Sequence, residues 1–368
     1  KRVIYVQICT IILMALFSIL FFADGINVIE TKLLGYDEAY NASVAANIYR
    51  YGEYRVSYPN NIVFYNMITT GETVILPTAL LYILFGINNI TSTVVALLYA
   101  LFSIWCVWIL LYKVLKQVSN IKWLSAVAFV MTMGVILTDA YFDYVACHLI
   151  GESACIFFLL LCFLFLNFFF QQKRNQLLIF SGGMLAWAFL TKSSMIFFVV
   201  SIFGMMIIET FVTKRIKIKD LSSFFAGFFI GFAILDLYKL IQLGSLTEYI
   251  NWWKLEWGNM LNQSSGIDIT YSIGDKFQYL QNIFGYNQWI CIVFILLPVG
   301  MYLLYLWNRI RKRKLCSDER LVMLMLGTSG ASLLIYFLVL GGSGLVNARR
   351  HSVNAFFVKI FFVYSVVC

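Results

Sequence analysis

Residues 153–212 read SACIFFLLLCFLFLNFFF-QQKRNQ-LLIFSGGMLAWAFL-TKSS-MIFFVVSIFGMMIIETFV, where the hyphens set off the polar punctuation. Three apolar blocks, 153–170, 177–191 and 194–212, are separated by one short basic loop and one tight turn. Each block approaches the length of about 20 residues with which an α-helix crosses a bilayer. A strand pattern would alternate polar and apolar positions, and nothing here alternates. The stretch reads as consecutive membrane helices.

The rest of the chain follows the same pattern. Further spans are expected over 3–23, 92–112, 123–140, 221–241, 288–307 and 321–340, with a last one beginning at 355. The 368 residues are 61% hydrophobic and 12% charged, whereas soluble domains carry about 25% charged residues. The expected fold class is therefore an all-α polytopic membrane protein of about ten or more helices, forming a single domain over 1–368. The first apolar run is too long for a cleaved signal peptide, whose core is about 7–15 residues. Both termini, Lys1 and Cys368, are expected to be cut edges of a longer protein. The eight cysteines form no CxxC pair and sit mainly in apolar runs, so they read as small packing residues.

Orientation follows from charge. The block 73–87 is short and reads as re-entrant or interfacial. On that topology 17 of the 27 basic residues fall in the short segments 1–2, 113–122, 171–176, 213–220 and 308–320, which marks those as the cytoplasmic side. Fourteen of the 18 acids fall on the opposite side. Acids contribute little to topology, so a working site outside is one cause for their clustering. Two long outer segments are available to build it, 24–91 and 242–287. The second opens with an amphipathic stretch whose Tyr249, Trp252, Trp253 and Trp257 suit a membrane interface.

Four places could carry chemistry. Asp37 in Gly35-Tyr36-Asp37-Glu38 stands where a helix over 38–51 would be capped. A helix N-terminus also keeps a carboxylate ionised, which suits a group that deprotonates an attacking hydroxyl. Asp143, His148 and Glu152 cluster near an outer helix mouth. Glu152 needs a partner there, because an unpaired charge beside a long apolar run is expensive. His148 with Asp143 or Glu152 is a candidate substrate or metal site, and a hydrogen-bonded His is the plainer alternative; the requirement for a divalent metal is left open. Lys192 sits at the tip of the 177–212 hairpin, as a phosphate ligand or as a lysine reaching the headgroups. Arg349 and Arg350 stand on the outer side against the charge rule, and the guanidinium fork suits a lipid phosphate.

In this order the motifs GYDEAYNASVAANIYRYGEY, an apolar stretch ending Leu84-Phe85-Gly86, Glu152, GMLAWAFLTK and the late Arg pair resemble the GT-C membrane glycosyltransferases. Within them the chain is most similar to the protein mannosyltransferase and aminoarabinose transferase type, glycosyltransferase family 39. The resemblance covers essentially the whole chain. It implies a GT-C-like bundle with a long first extracytoplasmic loop and a sugar donor linked to a polyprenyl phosphate. It implies Asp37 as catalytic acid or base with Glu38 beside it, Glu152 as the second-loop acid, and Lys192, Arg349 and Arg350 near the donor phosphate. The acceptor is a lipid, glycan or protein; membrane lipids are the other partners and nucleic acid is not. Where many relatives carry a Pro-Pro pair before the short helix, this chain has only Pro77 within ETVILPT. Direct displacement from such a donor inverts the anomeric centre and needs no nucleotide site, and no GxxxxGK[ST] occurs. The expected location is a bacterial plasma membrane with the active site outside. A lipid-linked sugar flippase or transporter would show charges or breaks in mid-span, for which Asp236 is the candidate. An O-antigen-type polymerase or ligase is the third reading.

Overall fold

A computed structural model describes residues 2–262 apart from 58–60, 66–67, 69, 119–122, 213 and 215. Beyond 262 it describes residues 293, 296, 297, 300, 302–308, 311, 353 and 355–360. Eleven α-helices and one 3₁₀ turn are formed among these: α1 (Arg2–Thr31), α2 (Tyr36–Tyr51), α3 (Glu72–Phe85), α4 (Asn89–Val118), α5 (Leu124–Leu137), α6 (Ala140–Ala146), α7 (Glu152–Gln172), α8 (Asn175–Thr191), α9 (Ile196–Phe211), α10 (Ile218–Leu243) and α11 (Leu246–Asn262), with the 3₁₀ turn at Ser193–Met195. The only β-type pairing among the described residues is one bridge, Arg55 with Val63.

Five of these helices are long and apolar enough to cross a membrane: α1, α4, α7, α9 with its preceding turn, and α10. The apolar helices α3, α5 and α8 are shorter. The chain is an all-helical integral membrane protein. The observed helices match the expected spans within a few residues, with two informative differences. α1 continues to Thr31, eight residues past its apolar run, because Gly25 packs on Leu97 of α4 and Ile29 is buried. The expected span 123–140 is broken at Asp139, whose carboxylate caps α6 by accepting from Tyr141 and Phe142 amides at 3.1 and 3.0 Å. The spans expected over 288–307, 321–340 and from 355 lie largely outside the described residues.

The tightest helix pair is α8 with α10. A Cβ at Gly182 would stand 2.1 Å from Phe224 O, and one at Gly227 would stand 2.1 Å from Ile179 O. Small residues let two backbones approach in this way where apolar helices gain little from leaving lipid. Trp187 Nε1 closes the contact by donating to Gly231 O at 3.2 Å. On the other side of α8, Ser181 donates to Cys162 O of α7 at 2.8 Å.

α3 does not traverse the bundle. It begins beside the last turns of α8 and α10, where Gly71 N donates to Thr191 O at 2.8 Å and Glu72 meets Lys239. It ends beside the last turn of α1 and the first of α4, where Thr91 Oγ1 donates to Gly86 O at 2.8 Å and Asn89 reaches Lys32 O at 3.4 Å. Both ends thus lie at one end of the bundle, the end where α1, α8 and α10 finish. Pro77 has no N–H for the helical bond to Thr73 O, and Tyr99 Oη supplies the missing donor at 2.7 Å.

Candidate functional site

At that end, three buried glutamates each meet a lysine from a different part of the chain. Glu38 of α2 meets Lys32 at 2.6 Å, Glu152 of α7 meets Lys192 at 2.6 Å, and Glu72 of α3 meets Lys239 of α10 at 3.3 Å. Each carboxylate is 2% exposed, and the three lysines are 14%, 11% and 3% exposed. Buried charges of this kind persist only when paired, so the pairs fix the loops to the helix ends.

The α2 turn differs from its expected form. Gly35, not Asp37, is the N-cap, and Asp37 lies in the first turn, partly exposed. Glu38 reaches back three residues to accept from Gly35 N at 2.9 Å, half of a capping box. It also accepts from Leu149 N at 2.9 Å. Burial pushes the Glu38 carboxyl up, but the Lys32 ammonium and the two amides outweigh it and hold it below its ordinary value. Glu38 is therefore spent on tying α1, α2 and the 147–151 turn together. Lys32 Nζ also donates to Cys147 O. Asn41, one turn on, donates to Leu149 O at 2.6 Å and to Thr70 Oγ1 at 3.0 Å, which links this turn to the loop before α3.

His148 lies 4.0 Å from Glu38 Oε2, stacks on Tyr144 with ring centres 3.9 Å apart, and shares a 2.6 Å hydrogen bond with Tyr144 O through Nδ1. Asp143 stands on the solvent-facing side of α6, where partial desolvation by its neighbours and the nearby Asp139 and Asp24 raise its pKa. Among the described residues no three His, Cys, Asp or Glu side chains form a group that could hold a metal ion. Glu152 does have the partner that its burial demanded, and the partner is Lys192. Two residues that the sequence put to separate uses form one unit. Arg349 and Arg350 lie outside the described residues.

A small pocket opens beside Lys192, with a cavity volume of about 40 Å³. Its walls come from the loop before α3 (Tyr54, Phe64, Thr70), the first residue of α3 (Glu72), the α8–α9 turn (Lys192, Ser193), α10 (Lys239) and α11 (Trp252, Trp253, Glu256). Gly71 is required at its floor: a Cβ there would fall 1.7 Å from Leu190 O. Phe64 adopts φ +46°, rare for a bulky residue. It is held there by face-to-face stacking on Tyr54 at 4.0 Å and by Trp252, whose Nε1 donates to Phe64 O at 2.5 Å.

Lys239 is the residue that sequence reading missed. Its ammonium sits 3.9 Å above the Trp252 ring, 4.7 Å from Trp253, and 3.2 Å from Asp236. Asp236 in turn accepts from Tyr249 Oη and, at 3.3 Å, from Trp253 Nε1. Opposite charges three residues apart inside an apolar run were the available signal, since i and i+3 share a helix face. Glu72, at the start of α3, gave no signal of its own.

The sequence matches no protein family and no curated protein. The structure does match solved ones. The crystal structure of ArnT from Cupriavidus metallidurans bound to undecaprenyl phosphate superposes with a TM-score of 0.60 at 14% identity, covering 96% of this chain and 60% of that one. The apo form of the same protein gives 0.54 at 14% identity, covering 96% of this chain and 59% of that one. The chain has the ArnT fold. It spans about 60% of the length of that protein.

Proposed function

We propose that the chain is a membrane glycosyltransferase that moves a sugar from a polyprenyl-phosphate donor to a lipid, glycan or protein acceptor on the extracytoplasmic face. The observation that carries this reading is the pocket beside Lys192, built from the loop before α3, the start of α3, the α8–α9 turn, α10 and α11, in a fold shared with a protein solved in complex with undecaprenyl phosphate. The basic loops around Lys113, Lys116, Lys173, Arg174, Lys214 and Lys217 sit at the opposite helix ends, which favours the cytoplasm for those and the outside for the pocket.

In this account the polyprenyl tail lies in the bilayer and the phosphate rests at the pocket rim. Lys192 keeps one N–H on Glu152 and offers the others to phosphate oxygens; Arg349 and Arg350 are assigned to the same phosphate. Asp37, in the first turn of α2, takes the proton of the acceptor hydroxyl or amine. The acceptor atom bonds to the anomeric carbon, the bond from that carbon to the phosphate oxygen breaks, and its electron pair leaves on the phosphate, whose charge the cations stabilise. Configuration inverts. Glu38 acts as a positioning residue, holding the α2 turn that presents Asp37. Asp236, the candidate mid-span charge for a transporter, has a structural partner in Lys239.

The test uses purified protein in nanodiscs with a set of polyprenyl-phosphate sugars and a short-chain alcohol or glycan acceptor. Release of polyprenyl phosphate by wild type and its loss in Asp37→Asn, with donor binding retained, is expected. Equal turnover by the variant would remove Asp37 from the mechanism.

A further inference from the structure

The lining of the pocket carries two carboxylates and two ammonium groups, and each ammonium has a further carboxylate behind it. Glu72 and Glu256 face it directly, and Glu152 and Asp236 stand behind Lys192 and Lys239. Among the described residues, four carboxylates thus oppose two ammonium groups, which leaves two negative charges in excess when all are ionised. The lysines are already engaged by those carboxylates. A site that had only a phosphate to bind would show the reverse balance, so the interior of the pocket receives a different part of the ligand.

Two observations say which part. The walls are aromatic: Tyr54, Phe64, Trp252 and Trp253 present flat faces and edges of the kind on which the C–H faces of sugar rings rest. Glu72 is 2% exposed and lines the pocket; its Oε1 is ion-paired with the Lys239 ammonium at 3.3 Å and accepts no hydrogen bond from any described residue. A buried carboxylate oxygen without a donor is costly, and a hydroxyl group is the neutral donor that would satisfy it. Glu256, partly exposed across the pocket near Ser193, offers a second acceptor.

We propose that this pocket is the donor-sugar subsite and that it selects sugars bearing no carboxylate, with Glu72 and Glu256 accepting ring hydroxyls and repelling uronic acids. The proposal rests on the donor reading above and adds to it the class of sugar. A carboxylate on the ring would approach two fixed carboxylates in a half-enclosed site, where like charges repel far more strongly than in water. A sugar of the same stereochemistry without that group keeps every hydroxyl contact.

The experiment measures binding of five probes to the full chain in nanodiscs by native mass spectrometry and competition. They are undecaprenyl phosphate, and its glucose, glucuronate, galactose and galacturonate derivatives. Within at least one matched pair the neutral sugar lipid is expected to bind tighter by about tenfold or more. Glu72→Gln and, separately, Glu256→Gln should each shrink that ratio; the second also serves should the first fail to fold. A ratio near one, or reversed, with undecaprenyl phosphate still binding overturns the subsite and leaves the donor reading standing. Failure of undecaprenyl phosphate itself to bind overturns both.

Discussion

Replacing Glu152 by Gln keeps the shape of the side chain and deletes its charge, which leaves the Lys192 ammonium 11% exposed and without its counter-ion at 2.6 Å. At that distance and an effective dielectric near 20, the attraction lost is about 6 kcal/mol before desolvation is counted. Removing one member of a buried pair costs about 3–5 kcal/mol in practice. Lys192 retains some access to water, so we place the effect at the lower end, about 3 kcal/mol. For a chain of 368 residues, unfolding with about 2.1 cal/mol/K per residue, that corresponds to a fall in Tm of about 4 °C. The assay is thermal unfolding of purified protein in detergent, followed by tryptophan fluorescence. The double variant Glu152→Gln with Lys192→Met carries no buried charge at this place and should recover most of the loss. A Glu152→Gln protein that melts within about 1 °C of wild type, or a double variant no more stable than that single one, would refute the pairing. In addition, Lys192→Met should weaken undecaprenyl-phosphate binding, whereas Glu152→Gln should not.

Other consequences can be checked alongside. Gly71→Ala places a Cβ 1.7 Å from Leu190 O, so the loop before α3 must lift off α8 and lose the Gly71 N–Thr191 O bond; donor binding should fall with stability, read by the same melts and by ligand titration. Gly227→Leu drives a side chain into the Ile179 backbone and should part α8 from α10, so that the protein aggregates or elutes early in size-exclusion chromatography, while Gly244→Leu, with no neighbour within 4 Å of the added Cβ but φ +74°, should cost only about 1–3 kcal/mol of backbone strain. Glu38 is held below its ordinary value of 4.5. Its contribution to stability is therefore complete above that value and is lost as pH falls through the lower folded value. Glu38→Gln should melt lower than wild type at neutral pH and show a shallower loss of Tm on acidification. Glu256, raised by burial, works in the opposite sense: its contribution is present below its ordinary value and declines as pH rises through the folded one, so Glu256→Gln should flatten that decline.

The helices were legible because a bilayer makes hydrophobic length a direct signal: α4, α7, α8, α9 and α10 all overlay their apolar blocks. The short block before Gly86 was legible as non-crossing from charge alone, and α3 lies accordingly. The individual motifs were legible as motifs; how they pair was not. Nothing local says that Glu152 meets Lys192 forty residues on, or that Glu72 meets Lys239 from another helix, since such contacts are set by how helix ends converge. Trp252 and Trp253 read as interface anchors because Trp on an amphipathic helix has that use; the structure turns them onto the Lys239 ammonium. Asp37 read as the cap because an acid before a helix fills that role, yet here the glycine two residues earlier takes it, with Glu38 supplying the side-chain acceptor.

The central claim is transfer of a sugar from a polyprenyl-phosphate lipid, and its most direct measurement is mass spectrometry of lipid-linked sugars and surface glycans in cells carrying wild type, a deletion or Asp37→Asn. Loss of one sugar unit from the glycans in both mutants, with accumulation of one polyprenyl-phosphate monosaccharide, is the predicted result. Wild-type glycans and donor levels in the Asp37→Asn cells, with the deletion altered, would contradict it.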